Sequence, residues 1–137
     1  STGMSTLEEV DRAYELITKY HTNFVIMHCN STYPAPLDEL NLNTITTFKD
    51  RYDCTIGYSG HEYDVEPSII AVVLGAQVIE RHITLDHNMW GTDQSSSLEI
   101  DGMDKLIRRV KLVKKILGDG IKKLSQSELE VKKRLRG

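Results

Sequence analysis

Three of the five histidines in this 137-residue chain, His28, His61 and His82, follow closely on short apolar runs. Imidazole is the commonest metal-ligating side chain, and its neutral nitrogen suits Mn, Fe, Co, Ni and Zn. His61 and His82 are one strand–helix–strand repeat apart, so neighbouring strands can bring both rings to one ion. Two imidazoles do not complete a coordination shell, and water or substrate oxygen must supply the rest. No Cys-x-x-Cys or His-Glu-x-x-His spacing points to a structural zinc or a metalloprotease. Ser31, Thr32, Tyr33, Ser59, Thr84 and Asp93 add hydroxyls and a carboxylate suited to a small oxygenated substrate, although each alone serves equally in a turn or cap. Trp90 can pack under a sugar or anchor its loop. Cys29 reads as a buried, inert thiol. His21 and His87 fall outside the set, and His28 is expected to line the site without ligating.

Placing these side chains requires a frame, and the pattern of elements supplies one. Ser5-Thr6-Leu7-Glu8 has capping-box spacing, with Leu7, Val10, Tyr14 and Ile17 following at helical intervals to about Tyr20. Phe24 to Met27 is a continuous apolar run, as in a strand buried on both faces. A weak helix is expected over Asn43 to Arg51, a strand over Cys54 to Tyr58, a helix over Pro67 to Gly75 and a strand over Gln77 to Glu80. A Gly/Ser/Thr/Asp loop then runs from Thr84 to Ser97, and an amphipathic helix covers Met103 to Leu117. Residues 121–137 are polar, suiting a loop plus one helical turn. Regular alternation of helix and strand means βα units and a parallel sheet. In such sheets ligands collect at the carboxyl ends of the strands, where His28, His61 and His82 fall.

Composition sets the outer bounds. Hydrophobic residues make up 39% and charged residues 27% of the chain, which excludes collagen-like, disulfide-scaffold and wholly disordered classes. The length fits one domain but not a closed eight-stranded barrel, which needs about 250 residues. No apolar run is long enough to cross a bilayer, and no signal peptide opens the sequence. Cys29 and Cys54 are accordingly read as reduced thiols in a cytoplasmic protein. Residues 104–137 hold twelve Lys/Arg against four Asp/Glu. With no aromatic residue among them to stack on bases, this reads as a solvated helix face, not a nucleic-acid or membrane surface.

Several motifs carry a resemblance when taken in order. Ser1-Thr2-Gly3-Met4, His28-Cys29 with Tyr33-Pro34-Ala35-Pro36, Gly57-Tyr58-Ser59-Gly60-His61-Glu62, Glu80-Arg81-His82-Ile83-Thr84-Leu85-Asp86, Gly91-Thr92-Asp93 and Ser96-Ser97-Leu98-Glu99 occur at family-like spacing. The chain resembles the sialic acid synthase family, which includes the N-acetylneuraminate, legionaminate and pseudaminate synthases. That resemblance implies an α/β fold, the C-terminal part of a (β/α)8 TIM barrel. Ser1 to Met4 would end strand five, and the three strands would be six to eight. Residues 1–120 would form this barrel portion and 121–137 a basic polar tail or linker. Strands one to four, with their lysine and carboxylates, and the antifreeze-like domain are absent from this sequence.

The family condenses phosphoenolpyruvate with an N-acylated amino sugar such as N-acetylmannosamine, releasing phosphate. The resemblance implies His61 and His82 as ligands of a divalent ion; on ligand chemistry alone Mn2+ or Mg2+ is expected, and the two imidazoles favour Mn2+. It implies Ser31 and Ser59 on phosphoenolpyruvate, Tyr33 and Asp93 on the sugar, and Glu80 near the reacting carbon. Trp90-Gly91-Thr92-Asp93 departs from the Pro-Gly-Pro-Asp form of some members. The alternatives are a related 3-deoxy-keto acid synthase, or an inactive fragment or metal- or sugar-binding module. A homo-oligomer or a partner supplying the missing barrel half is expected.

Overall fold

The first helix, α1 (Leu7–Thr18), opens on a reciprocal cap, one residue later than the Ser5/Glu8 spacing suggests. Thr6 and Glu9 have the same spacing. The Thr6 amide donates to Glu9 Oε2 at 2.8 Å, and the Glu9 amide donates to Thr6 Oγ1 at 3.3 Å. The structure is a computed structural model that describes residues 1–136.

After α1 come β1 (Val25–Cys29), α2 (Thr44–Arg51), β2 (Thr55–Gly60), α3 (Glu66–Leu74), β3 (Val78–Arg81), α4 (Ile100–Leu117) and α5 (Gln126–Arg136). The strands form one parallel sheet in the order β1-β2-β3, as the alternation predicts. Thr2 lies at the free edge of β1, where its amide donates to the Met27 carbonyl at 2.9 Å. Ser1 to Met4 therefore sits where the end of a preceding strand would.

Alternation along the strands sorts the side chains. Ile26, Ile56 and Tyr58 turn toward α1, α2 and α3, where they form the main core with Val10, Ile45, Phe48, Tyr52, Ala71 and Ala76. A smaller cluster of Val65, Leu98 and Leu106 holds α4 against α3. Among the described residues, helices cover only this face. On the other face Val25 and Val78 remain 40% and 37% exposed, so the strands are not buried on both sides as Phe24 to Met27 suggests. Toward the carboxyl ends that second face is covered again, by the loop following β1, and there Cys29 and Ser59 are buried.

Two local expectations shift. β1 extends through Cys29, so His28 shares the parity of Ile26 and turns to the helices instead of lining the sheet's other face. Its Nε2 lies 2.7 Å from the Leu40 carbonyl, and Phe48 packs edge-on against the ring. Burial lowers its pKa, with the Leu40 contact opposing, so the ring is neutral at physiological pH. The region expected to hold one helical turn instead forms α5, opened by a second capping box. The Ser125 amide donates to Glu128 Oε2 at 2.9 Å and the Glu128 amide to Ser125 Oγ at 3.2 Å. Gly137 of the expected tail lies outside the described residues. No described helix is long and apolar enough to cross a membrane.

Candidate active site at the carboxyl edge of the sheet

The ladder register puts Cys29 beside Ser59, and Ser59 beside Glu80, all on the face away from the helices. His61 and His82 lie one residue beyond the last β2–β3 pair, Gly60 with Arg81. Their rings meet at a centroid distance of 5.3 Å and an angle of 84°. Tyr33 arrives from the loop after β1, its ring 4.2 Å from His61 and 5.5 Å from His82. The two histidines and Tyr33 therefore converge, as their places in the sequence predict.

His61 is buried and its tautomer follows from its partners. Nδ1 lies 2.7 Å from the Asn30 carbonyl, which can only accept, so the proton sits on Nδ1. Nε2 is left with a free lone pair, and the Tyr33 hydroxyl donates to it at 3.2 Å. A backbone carbonyl orienting one ring nitrogen so that the other can ligate is the arrangement metal-binding histidines use. Asn30 is the functional residue that side-chain chemistry could not reveal, because it acts through its main chain.

His82 is more open. Its Nδ1 faces Asp93 Oδ2 at 3.8 Å, too long for a hydrogen bond but close enough to attract a protonated ring. Asp93 is fixed in its loop by the Thr92 hydroxyl, which donates to Oδ1 at 2.9 Å, and by the Ser97 hydroxyl on its carbonyl at 2.7 Å. Desolvation raises the Tyr33 pKa, and Cys29, Asp93 and Glu80 add to the effect, so its hydroxyl remains a proton donor at neutral pH.

Ser59 donates to Glu80 Oε1 at 2.8 Å, so its single proton is engaged and Glu80 is held beneath the histidines. Ser31 lies 3.7 Å from Cys29 Sγ, against Gly3. A Cβ on Gly3 would come within 1.8 Å of Ser31 Oγ, so glycine there leaves room for the hydroxyl. His87 bonds the Ser97 carbonyl at 2.8 Å, and His21 lies in the turn after α1; neither faces the other two rings. Among the described residues no three His, Cys, Asp or Glu side chains are grouped to hold a metal. The donor set is two imidazoles, with other positions left to water or substrate.

A family model described as the NeuB family matches residues 1–122. The chain is 42% identical over 131 residues to the N,N'-diacetyllegionaminic acid synthase of Campylobacter jejuni, covering 93% of this chain and 39% of that protein. It is 38% identical over 136 residues to the N-acetylneuraminate-9-phosphate synthase of Homo sapiens, covering 98% and 38%. Among solved structures, the N-acetylneuraminic acid (sialic acid) synthetase of Leptospira borgpetersenii, in complex with citrate, aligns at a TM-score of 0.84 and 34% identity. That alignment covers 98% of this chain and 48% of the other. The chain spans about two-fifths of the length of the curated relatives it matches. Its parallel sheet and helices are those of the synthase barrel's C-terminal part. Matched by the family model along most of its length and by synthases in both sequence and fold, the chain belongs to the NeuB family.

Proposed function

We propose that the complete barrel containing this chain is a cytoplasmic synthase that condenses phosphoenolpyruvate with an N-acylated amino sugar, such as N-acetylmannosamine, and releases phosphate. The observation that carries this reading is the convergence of His61 and His82, with His61 Nε2 kept free of its own proton by the Asn30 carbonyl. This donor set fits a divalent ion, and imidazole favours Mn2+ over Mg2+. When bound, such an ion supplies Lewis-acid polarisation of the sugar's carbonyl oxygen.

The protein's own groups then have separable tasks. The methylene carbon of phosphoenolpyruvate bonds to the open-chain sugar's aldehyde carbon, whose oxygen takes up a proton. Water adds to the neighbouring carbon that bears the phosphate. As that carbon's bond to the phosphate oxygen breaks, its new hydroxyl loses a proton, leaving a keto acid and free phosphate. Ser31 donates to the anionic substrate, and Ser59 does so by exchanging Glu80 for the substrate as acceptor. Glu80 orients groups near the reacting carbon. Tyr33 donates to the sugar. Asp93 suits the sugar better than phosphoenolpyruvate, because a carboxylate repels a phosphate and a second carboxylate but accepts from hydroxyls and an amide N–H.

The direct test is phosphate release by the complete barrel with phosphoenolpyruvate and a panel of N-acylated hexosamines. Release with at least one sugar is expected; none with any sugar refutes the synthase reading and favours a binding module. Within an active enzyme, Asp93→Asn is expected to raise the KM for the sugar roughly tenfold or more, the effect of losing a charged hydrogen bond. The KM for phosphoenolpyruvate should move less. Steady-state kinetics in both substrates check this, and a larger defect for phosphoenolpyruvate reverses the assignment.

A further inference from the structure

Behind the histidines, on the helix side of the sheet, lies a buried charged cluster. The Glu62 and Arg81 side chains are 1% and 0% exposed and form an ion pair of 2.9 Å between Oε1 and Nη1. Nη1 also donates to the Asp64 carbonyl at 2.8 Å and to Ser68 Oγ at 3.1 Å. Nη2 donates to the Glu62 main-chain carbonyl. The Tyr58 hydroxyl donates to Glu62 Oε2 at 2.8 Å. Gly60 makes the packing possible, since a Cβ there would sit 2.8 Å from Glu62 Oε2 and 2.7 Å from the Tyr58 ring. Arg81 Nε is buried with no partner among the described residues, so the guanidinium is placed for its two terminal nitrogens at the expense of the third.

Glu62 directly follows His61, and Arg81 directly precedes His82. The β2–β3 ladder ends at Gly60 with Arg81, one step short of both histidines. Beyond it, each histidine backbone is tied to a different loop: the His61 carbonyl accepts from Ala35 at 3.1 Å and the His82 carbonyl from Leu98 at 2.8 Å. Neither bond fixes one histidine relative to the other. The Arg81 guanidinium does, because it grips both the carboxylate and the main chain of the residue after His61.

We propose that Glu62 and Arg81 are positioning residues that continue the sheet beyond its last ladder pair and set the spacing of His61 and His82 for one divalent ion. The proposal rests on the metal reading of those histidines given above. A planar guanidinium is needed, since lysine presents a point charge that cannot span a carboxylate and a main-chain carbonyl in the same way. A purely stabilising ion pair would behave differently: replacement of both partners by apolar residues of similar size often preserves stability, and it would leave metal affinity unchanged as well. That difference separates the two roles.

The test is Mn2+ affinity by calorimetry in the complete barrel, with circular dichroism and melting temperature measured alongside. The unmodified protein, His61→Ala, Arg81→Lys and the double variant Glu62→Leu/Arg81→Met are compared. The expected result is a fall in Mn2+ affinity of about 10–100-fold in both Arg81→Lys and the double variant, the range of outer-shell changes. The double variant should keep a cooperative melt. Loss of affinity in His61→Ala, together with unchanged affinity in a folded double variant, overturns the positioning role and leaves the metal reading intact. If the unmodified protein binds no Mn2+, or His61→Ala binds it equally well, the metal reading itself fails and this proposal with it.

Discussion

His61→Ala and His82→Ala, each in the complete barrel, are expected to lower Mn2+ affinity roughly a hundredfold or more and to abolish measurable phosphate release. Even changes in the groups that merely orient a ligand cost about 10–100-fold, and each variant removes one of two protein donors outright. The two should differ in stability. His61 is buried and bonded to the Asn30 carbonyl, so its loss leaves that acceptor unpaired and lowers the melting temperature. His82 is half-exposed, with no hydrogen bond to a ring nitrogen among the described residues, and its removal should leave the melt almost unchanged. His21→Ala is the matched control, because that ring lies beyond α1, away from the site, and should leave both affinity and turnover alone. Calorimetry and a phosphate assay on the three variants check the set. Unchanged Mn2+ affinity in His82→Ala removes it from the ligand pair.

The legible part of this fold is the part dictated by periodicity. Three short apolar runs separated by stretches each long enough for one helix read as alternating strand and helix, and that alternation places His61 and His82 at one edge before any contact is known. Positions that depend on one-residue register are less legible. The capping-box spacing occurs at Ser5/Glu8 and again at Thr6/Glu9, and spacing alone does not say that the second is the one that closes. His28 follows a similar logic: β1 runs two residues past Met27, and His28, two residues from Ile26, turns with it to the helix face. The helix α5 carried its own signal, since Ser125-Gln126-Ser127-Glu128 repeats the spacing that opens α1, but its polar composition masks it.

The buried pair of Glu62 and Arg81 shows a different limit. By residue type both belong on a surface, and nothing in their spacing marks them as partners. Their placement follows only from combining alternation with the parallel register: each is adjacent to a histidine on the open face, so each must point to the covered one. There a charge must find its opposite or remain unpaired at high energetic cost. The site and the network behind it are thus two consequences of one register, read on opposite faces of the same strands.

The 137-residue chain by itself is expected to release no phosphate from phosphoenolpyruvate with any N-acylated hexosamine, and to melt broadly or associate. Both edges of its sheet are poorly covered. The outer side of β1 meets only the short segment around Thr2, and beyond β3 the only described pairing is the bridge between Ile83 and Leu98. Unpaired strand edges recruit other chains. The sheet face away from the helices leaves Val25 and Val78 open, and Trp90 at 99% exposure and Leu85 at 78% add apolar surface beside the site. The catalytic deficit is independent of stability. On the proposed roles, His61, His82, Tyr33 and Asp93 serve a cation and a sugar, whereas Arg81, the basic residue nearest to them in sequence, turns to the opposite face. Positive groups for the phosphate are expected from a second polypeptide segment, either the strands that complete the barrel or another copy exchanging elements with this one. Mixing the chain with separately produced strands one to four of the barrel is expected to sharpen the melt and restore turnover together. Size-exclusion chromatography with light scattering, a thermal melt and the phosphate assay on the chain alone decide the matter. A monodisperse, cooperatively melting monomer that consumes phosphoenolpyruvate would refute both the structural and the catalytic expectation.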